Sequence, residues 1–261
     1  MHVLDAGPVS GPVALLWPSL FTDGQTSWGE QLSALHLRGW RTLLVDPPGT
    51  GRTTVPRRVF TMEECAESAV QILDAVGVKQ AAMIGLSWGG YVGLRVALAE
   101  PDRVSALVLS NSGARSVPFV FRVRNRLLAS LIQARVVPGG VSRLVVPGLL
   151  SKHSRRTNPT LAAELAATID HLDPVGLGRA VRSVLVEPTS VVQLLDQITV
   201  PTLVITGAED RGLPPSYSTE LANRITDARL YVLPRVGHLA PREAPAMVST
   251  LICEFLAPSG R

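Results

Sequence analysis

Residues 83–90 read Met-Ile-Gly-Leu-Ser-Trp-Gly-Gly and place a Gly-x-Ser-x-Gly motif where an apolar run meets a helix-like stretch. The apolar run is typical of a buried strand, and the stretch from Trp88 to Glu100 has the periodicity of a helix. Glycines on both sides of Ser87 suit a sharp turn in which side chains would clash. Such a turn lifts a serine hydroxyl out of the end of a strand. The motif therefore predicts an accessible, nucleophilic Ser87.

Apolar runs and helical patterns alternate on both sides of this motif. The runs are too continuously apolar to have a solvent-facing side, as in strands buried on both faces. They lie at residues 13–17, 42–45, 81–84, 104–109, 200–205 and 229–233. The helical patterns lie at residues 28–38, 62–76, 88–100 and 243–256. Strand and helix in this rhythm predict an α/β fold, with a mostly parallel sheet flanked by helices.

The alternation is interrupted after Ser112. Residues 115–195 carry only helix-like patterns separated by proline and glycine, and the strands then resume. The helix-like patterns lie at residues 117–136, 160–172 and 175–186. We therefore predict one core made of residues 1–114 and 196–261, with residues 115–195 inserted as a helical cap over the sheet edge.

The inserted segment is also where the basic residues concentrate. The chain has 25 basic and 21 acidic residues, and residues 115–195 hold 11 of the basic but only 4 of the acidic ones. The segment is poor in aromatic residues and has no nucleic-acid-binding module, so no nucleic-acid partner is expected. Its arginines either bind an anionic substrate group or are solvated. The candidates for binding are Arg115, Arg122, Arg124, Arg126, Arg155 and Arg156.

A nucleophilic serine needs a base and a residue that orients the base. Asp210 follows the first strand after the insertion, and His238 follows the second. Because the carboxyl ends of parallel strands meet at one edge of a sheet, both side chains should lie near Ser87. Glu209 is the alternative acid, but its spacing to the following proline is less favourable. The predicted catalytic residues are Ser87, Asp210 and His238.

The two cysteines, Cys65 and Cys253, are far apart and lack the spacing of a metal site or a disulfide framework. We expect no metal and a reducing, cytoplasmic location. Residues 1–13 have no basic stretch followed by an apolar one, and no stretch offers about 18 uncharged apolar residues. Neither export nor a membrane span is predicted.

Taken together, these residues resemble the α/β-hydrolase superfamily. Gly85–Gly89, Gly207–Asp210 and Gly237–His238 stand where that family carries its nucleophile, acid and base, and the insertion corresponds to its helical cap. The resemblance implies an α/β-hydrolase fold and a serine hydrolase that forms an acyl-enzyme without a cofactor. Its expected partner is a small-molecule ester or lactone, and it would be a monomer or homodimer.

The loop after the first apolar run departs from most of the family. Relatives commonly have His-Gly there, whereas this chain has Ser-Leu-Phe-Thr-Asp at residues 19–23. That loop, together with residues 109–115, is similar to 3-oxoadipate enol-lactonases, which also lack the His-Gly pair. The similarity implies that the backbone N–H groups of Leu20 and Trp88 form the oxyanion hole. Phe21 is the alternative to Leu20, because the spacing that follows differs.

Several other activities are compatible with the same motifs. They are hydrolysis of a carbon–carbon bond or of a carrier-bound thioester, perhydrolysis of the haloperoxidase type, and binding of a small molecule by a receptor. Haloalkane dehalogenases and epoxide hydrolases are disfavoured, because they carry Asp where Ser87 stands. In the cap, apolar residues either line an acyl pocket or form the cap's own core. These residues are Phe119, Phe121, Leu127 and Leu131.

Overall fold

A mostly parallel sheet forms the centre of the computed structural model, which describes residues 1–257. Seven strands pair in the order β1-β3-β2-β4-β5-β6-β7 within those residues, and only β1 runs antiparallel to its neighbour, β3. The strands are β1 (His2–Ala6), β2 (Val13–Trp17), β3 (Arg41–Asp46), β4 (Ala81–Leu86), β5 (Val104–Ser110), β6 (Thr202–Gly207) and β7 (Ala228–Leu233). The predicted parallel sheet is confirmed.

Helices cover the sheet on both sides. The core helices are α1 (Gly24–Leu37), α2 (Met62–Ala75), α3 (Trp88–Ala99), α9 (Pro215–Arg224), α10 (Ala240–Glu243) and α11 (Pro245–Phe255). They pack as two main groups, α1 with α11 and α2 with α3. Every residue of β2, β4 and β6 is buried, as their continuous apolar sequence requires.

Five further helices and no strand lie between β5 and β6. These helices are α4 (Phe119–Gln133), α5 (Val141–Leu149), α6 (Lys152–Thr157), α7 (Pro159–Asp170) and α8 (Pro174–Leu185). Helix α5 contains Pro147. The sequence analysis takes the prolines of this segment as boundaries between helices, but Pro147 lies inside one. We call residues 115–195 the cap.

Three core elements were not predicted from the sequence: β1, α9 and the four-residue helix α10, which comes before the predicted helix at residues 243–256. Strand β1 alternates and is mostly exposed or half-buried, so it has no continuous apolar run. It adds to the edge of the sheet through backbone pairing with β3, and that pairing does not require an apolar sequence. Helix α9 is largely polar and buries only Ser218 and Leu221. A helix that buries so few residues has little hydrophobic periodicity in its sequence, so the pattern does not reveal it.

The side chains of α4 correct one expectation. Phe119, Phe121 and Leu127 are exposed and Leu131 is half-buried, so the prediction that these residues form the cap's own core is wrong, while the alternative that they line an acyl pocket stays a prediction. The buried side of α4 is formed instead by Asn125, Ala129 and Ile132. The apolar residues of α4 are thus too many for its buried side, and periodicity alone cannot tell which side faces inward.

No helix within residues 1–257 combines the length and the apolar character needed to cross a membrane.

Candidate active site

Ser87 occupies a strained turn between β4 and α3. Its backbone angles are φ 52° and ψ −105°, a conformation that non-glycine residues rarely adopt and that clusters at functional sites. Its N–H donates to the carbonyl of Ser110 at 2.8 Å. Ser87 is partly exposed, whereas its neighbours in the turn are buried. The turn therefore presents the serine at the end of the strand, as the sequence predicts.

The glycines around Ser87 are required because backbone segments approach closely there. A Cβ on Gly85 would lie 2.2 Å from the carbonyl oxygen of Gly89. A Cβ on Gly89 would lie 2.2 Å from the carbonyl oxygen of Trp17. At such separations the backbone would have to move, so any larger residue would open the turn.

The turn lies where the order of the strands reverses. Strand β2 is central, and the chain passes from it to β3 on one side and later returns to β4 on the other. The loops after β2 and β4 therefore lead the chain to opposite sides of this point, and a reversal of that kind at the carboxyl ends of the strands is where ligands bind in open α/β sheets. The N–H of Gly89 donates to the carbonyl of Pro18 at 3.2 Å and joins the two loops.

The loop after β2 is a tight turn over residues 19–22. The N–H and Oγ1 of Thr22 both donate to the carbonyl of Ser19, at 3.4 and 2.9 Å, and Phe21 has a positive φ of 72°. Within residues 1–257, the N–H groups of Leu20, Phe21 and Trp88 donate no hydrogen bond. Trp88 is the first residue of α3, whose N-terminus favours a negative charge. The choice between Leu20 and Phe21 stays open.

His238 and Asp210 form a buried pair at the same sheet edge. Nδ1 of His238 lies 2.8 Å from Oδ2 of Asp210, and both side chains are almost fully buried. Oδ1 of Asp210 accepts hydrogen bonds from the N–H groups of Gly212 and Leu213, at 2.8 and 2.9 Å. Because a carboxylate only accepts, His238 donates from Nδ1, and its Nε2 is left as an acceptor.

The pair shifts the proton affinities of both members. Burial by itself would raise the pKa of Asp210, but the charge and hydrogen bond of His238 outweigh it, and the pKa lies below its ordinary value. Burial would lower the pKa of His238, but the Asp210 carboxylate outweighs it and raises the pKa above its ordinary value. Asp210 therefore stays ionised and stabilises a protonated His238.

Glu209 does not take the place of Asp210. Its Oε2 accepts a hydrogen bond from the N–H of Lys152, at 3.2 Å, at the start of α6. The carboxylate in contact with the His238 ring belongs to Asp210.

Asn111 is a member of this network to which the sequence analysis assigns no role. It follows β5 with a positive φ of 47°. Its Nδ2 donates both to Oδ2 of Asp210 and to the carbonyl of Gly237, each at 2.9 Å. Asn111 thus ties together the loops that carry the acid and the base. The only signal in the sequence is its place directly after a buried strand at the same edge as Ser87.

Glu243, on α10, was also missed. Its Oε1 accepts from the N–H of Gly237, and its Oε2 accepts from the N–H of Ser151 in the cap, each at 2.9 Å. The N–H of His238 in turn donates to the carbonyl of Leu149 at 3.0 Å. The loop that carries His238 is therefore held between α10 and the cap. The negative charge of Glu243 also contributes to the raised pKa of His238.

The candidate arginines of the cap differ in their surroundings. Arg115 forms two hydrogen bonds of 2.7 Å with Glu220, and Arg126 lies 3.6 Å from Glu187. In contrast, the Nε atoms of Arg122 and Arg155 are buried and have no hydrogen-bond partner in the described part of the chain. These two guanidinium groups have unused capacity for an anion.

Two cavities lie along α7, one of about 280 Å³ and the other of about 210 Å³. Thr168 of α7 lines both. The larger cavity also reaches Asp23, next to the turn at residues 19–22, and the smaller reaches Leu239, next to His238. Neither cavity is lined by Ser87, Asp210 or His238, so both lie at the boundary between α7 and the core rather than in the candidate site itself.

No group of three or more His, Cys, Asp or Glu side chains suited to a metal ion occurs within residues 1–257. Cys65 and Cys253 are both buried and unpaired. Burial raises the pKa of each thiol, which keeps it protonated and unreactive.

The chain is similar to hydrolases in sequence. A family model described as "alpha/beta hydrolase fold" matches residues 17–136. Over 261 residues the chain is 30% identical to the protein named "Putative carbamate hydrolase RutD" of Variovorax paradoxus (strain S110). That match covers 98% of this chain and 96% of the relative.

The same similarity holds for solved structures. A thermophilic esterase from Thermogutta terrifontis, with malate bound, has a TM-score of 0.91 at 28% identity, covering 98% of this chain and 92% of that one. The enol-lactonase from Burkholderia xenovorans LB400 has a TM-score of 0.89 at 25% identity, covering 98% and 96%.

Proposed function

Because the chain belongs to the α/β-hydrolase fold family, we propose that it is a serine hydrolase that cleaves a carboxylic ester or lactone of a small molecule. The catalytic residues in this proposal are Ser87, His238 and Asp210. The observation that carries it is the buried pair of His238 and Asp210, in which Nδ1 is occupied and Nε2 is free to accept a proton. This pair lies at the sheet edge where the strained turn presents Ser87.

The reaction begins when Nε2 of His238 takes the proton of the Ser87 hydroxyl and Oγ attacks the carbonyl carbon. Asp210 stabilises the imidazolium that forms, because its carboxylate is ionised and hydrogen-bonded to Nδ1. The oxyanion accepts hydrogen bonds from the N–H of Trp88 and from that of Leu20 or Phe21. Collapse of the tetrahedral intermediate releases the alcohol, which takes the proton from His238, and leaves an acyl group on Ser87.

Water then completes the cycle. His238 removes a proton from the water molecule that attacks the acyl-enzyme, and a second oxyanion forms in the same hole. The acid leaves, and Ser87 recovers its proton from His238. Each N–H donor to the oxyanion is worth about 10²- to 10³-fold in rate in sites of this kind.

The names of similar proteins support the choice of substrate class. An esterase, an enol-lactonase and a protein named as a carbamate hydrolase share cleavage of an acyl group from a heteroatom. The cap, with 11 basic and 4 acidic residues, favours a substrate that carries a negative charge. The buried, unpaired cysteines favour a cytoplasmic location.

Turnover of a substrate panel tests the proposal. The panel contains aryl esters, lactones, an aryl carbamate, a thioester and a vinylogous diketone. It is measured for the wild type, Ser87→Ala, His238→Ala and a control, Ser33→Ala, which replaces an exposed serine on α1.

We expect ester or lactone turnover in the wild type and the control, and a loss of at least about 10³-fold in the other two variants. Turnover of the diketone alone would instead indicate a carbon–carbon bond hydrolase. Turnover of the thioester alone would indicate a thioesterase. A folded wild type that turns over none of the compounds but binds one tightly would indicate a receptor.

A further inference from the structure

The outer side of α4 is apolar. Phe119 and Val120 are 74% and 75% exposed, and Val123 and Leu127 are 51% and 61% exposed. Their spacing of three or four residues places them on one side of the helix. We call Phe119, Val120, Val123 and Leu127 the apolar stripe. It points away from the rest of the protein, because the opposite side of α4 holds the buried Asn125, Ala129 and Ile132.

The stripe is not explained by packing within the chain. A folded protein commonly exposes single apolar residues, such as Leu37 on α1, which is 87% exposed. Four large apolar residues on one exposed helical surface are different, because contiguous apolar patches usually mark a surface that binds something.

Arginines border the stripe on both sides. On a helical projection, Arg124 lies at one edge and Arg126 at the other. The guanidinium carbon of Arg124 lies 5.0 Å from the centre of the Phe121 ring. Arg126 is 50% exposed and lies 3.6 Å from the nearest carboxylate oxygen, on Glu187. The Arg126–Glu187 pair is longer than a hydrogen bond and is exposed to solvent, so Arg126 can exchange Glu187 for a lipid phosphate. Arg124 can likewise leave the Phe121 ring to bind a phosphate at the other edge.

We propose that the apolar stripe docks on an anionic phospholipid surface, with α4 lying in the plane of the membrane. The Phe, Val and Leu side chains would enter the boundary between headgroups and acyl chains, and the arginines would bind lipid phosphates. The cap as a whole has 11 basic and only 4 acidic residues, which matches a negatively charged surface. This inference is independent of the proposed hydrolase activity.

A second copy of the chain fits the same surface less well. A symmetric contact would bring the stripe of one copy, with its arginines, against that of another. Two strongly basic caps would then face each other, and such like-charge contacts disfavour association. An acidic protein would also match the positive charge of the cap. The experiment distinguishes such a protein from a phospholipid surface.

Flotation of the full-length protein with lipid vesicles tests the proposal. One set of vesicles is pure phosphatidylcholine, and the other is an equal mixture of phosphatidylcholine and phosphatidylglycerol. The variants are Val123→Glu/Leu127→Glu in the stripe, Arg124→Gln/Arg126→Gln at its edges, and Leu37→Glu as a matched apolar control on the core. Ester turnover and circular dichroism establish that each variant is folded.

We expect the wild type and Leu37→Glu to bind the anionic vesicles and to bind pure phosphatidylcholine much more weakly. The stripe variant should lose at least about tenfold in binding, and the arginine variant about fivefold for each arginine removed. Added salt should weaken binding by the wild type.

Three results would overturn the proposal. They are failure of a monomeric wild type to bind anionic vesicles, equal binding by the stripe variant, and a dimer that the stripe variant dissociates. Binding of polyglutamate without binding of vesicles would assign the surface to an acidic protein and would also overturn it.

Discussion

The turn at Ser87 and the cap are built under opposite constraints. At the turn, a Cβ on Gly89 would meet the Trp17 carbonyl oxygen at 2.2 Å. In the cap, no heavy atom lies within 4 Å of the position that a Cβ on Gly148 would take. The carboxylate of Asp210 is fully hydrogen-bonded, whereas the cap leaves Nε of Arg122 buried without a partner and exposes an apolar stripe.

We infer from this difference that the sheet edge carries out catalysis, whereas the cap determines which substrate is bound. Backbone segments in close contact and a saturated network of hydrogen bonds fix the positions of Ser87, His238 and Asp210. The cap leaves donors unused and exposes an apolar stripe. Apart from Leu149 and Ser151, which hydrogen-bond with the His238 loop and with Glu243, its residues can therefore change with less effect on those positions. We expect substitutions at the sheet edge to abolish activity or folding, and substitutions in the cap to alter binding.

Asp210→Asn should cause the largest loss of activity. The new amide would donate to Nδ1 of His238, so the ring proton would move to Nε2, where the base must accept. In a comparable triad such a change costs about 10⁴-fold in rate, and we expect a loss of that order in kcat/KM. Glu209→Gln is the control, and it should retain turnover within about threefold. A larger loss in Glu209→Gln than in Asp210→Asn would reverse the assignment of the acid.

Gly89→Ala should cause the largest loss of stability. The added methyl group would overlap the backbone of Trp17 at the end of β2, and the turn can relieve that contact only by moving. We expect a loss of more than about 3 kcal/mol in the free energy of unfolding. Thermal unfolding measures it, and a melting temperature equal to that of the wild type would show that the turn is not tightly packed.

The pH dependence of kcat/KM should reflect the raised pKa of His238. Protonated His238 cannot accept the Ser87 proton, so activity should fall about tenfold per pH unit below that pKa. Because Asp210 raises the pKa, the midpoint should lie above about 6.5, the ordinary value for histidine. The same shift stabilises the fold at low pH, and this stabilisation is lost as the pH rises through the folded-state pKa. A midpoint below about 6 would show that burial outweighs the carboxylate.

Glu243→Gln should lower kcat/KM by about tenfold. Glutamine has one acceptor oxygen where Gly237 and Ser151 both donate, so the His238 loop would lose one of its two attachments. The variant also lacks the charge that helps to raise the pKa of His238, so the midpoint of the pH profile should move down. An unchanged midpoint in a less active variant would indicate a purely structural role.

Gly148→Ala should have the smallest effect. Gly148 lies in the last turn of α5 with open space around it, and alanine favours helix. We expect the free energy of unfolding to rise by less than about 1 kcal/mol, because alanine has the higher helix propensity. A loss comparable to that of Gly89→Ala would remove the contrast between the cap and the turn.

The sequence predicted the parts of the fold that depend on continuous burial. The predicted limits of β2 coincide with the observed Val13–Trp17, because a strand buried on both faces has an unbroken apolar run. Strand β1 could not be found in this way, since its stability comes from backbone pairing at an exposed edge. The turn at Ser87 was recognisable because close backbone contact demands glycine on both sides.

Side-chain partners were harder to predict than the positions of loops. Asn111 and Glu243 each form two hydrogen bonds between segments that are distant in the sequence, and no spacing rule indicates such contacts. The sequence also did not reveal which side of α4 is buried, for a related reason. Its apolar residues occupy more of the helix than the cap can bury, so a periodic pattern did not identify the buried side.

Labelling with a fluorophosphonate, followed by peptide mapping, tests the central claim most directly. The account predicts one adduct on Ser87, no labelling of Ser87→Ala, and much slower labelling of His238→Ala, because only an activated serine reacts readily with such a probe. An adduct on another residue, such as the neighbouring Ser112, or no labelling of the folded wild type would contradict it.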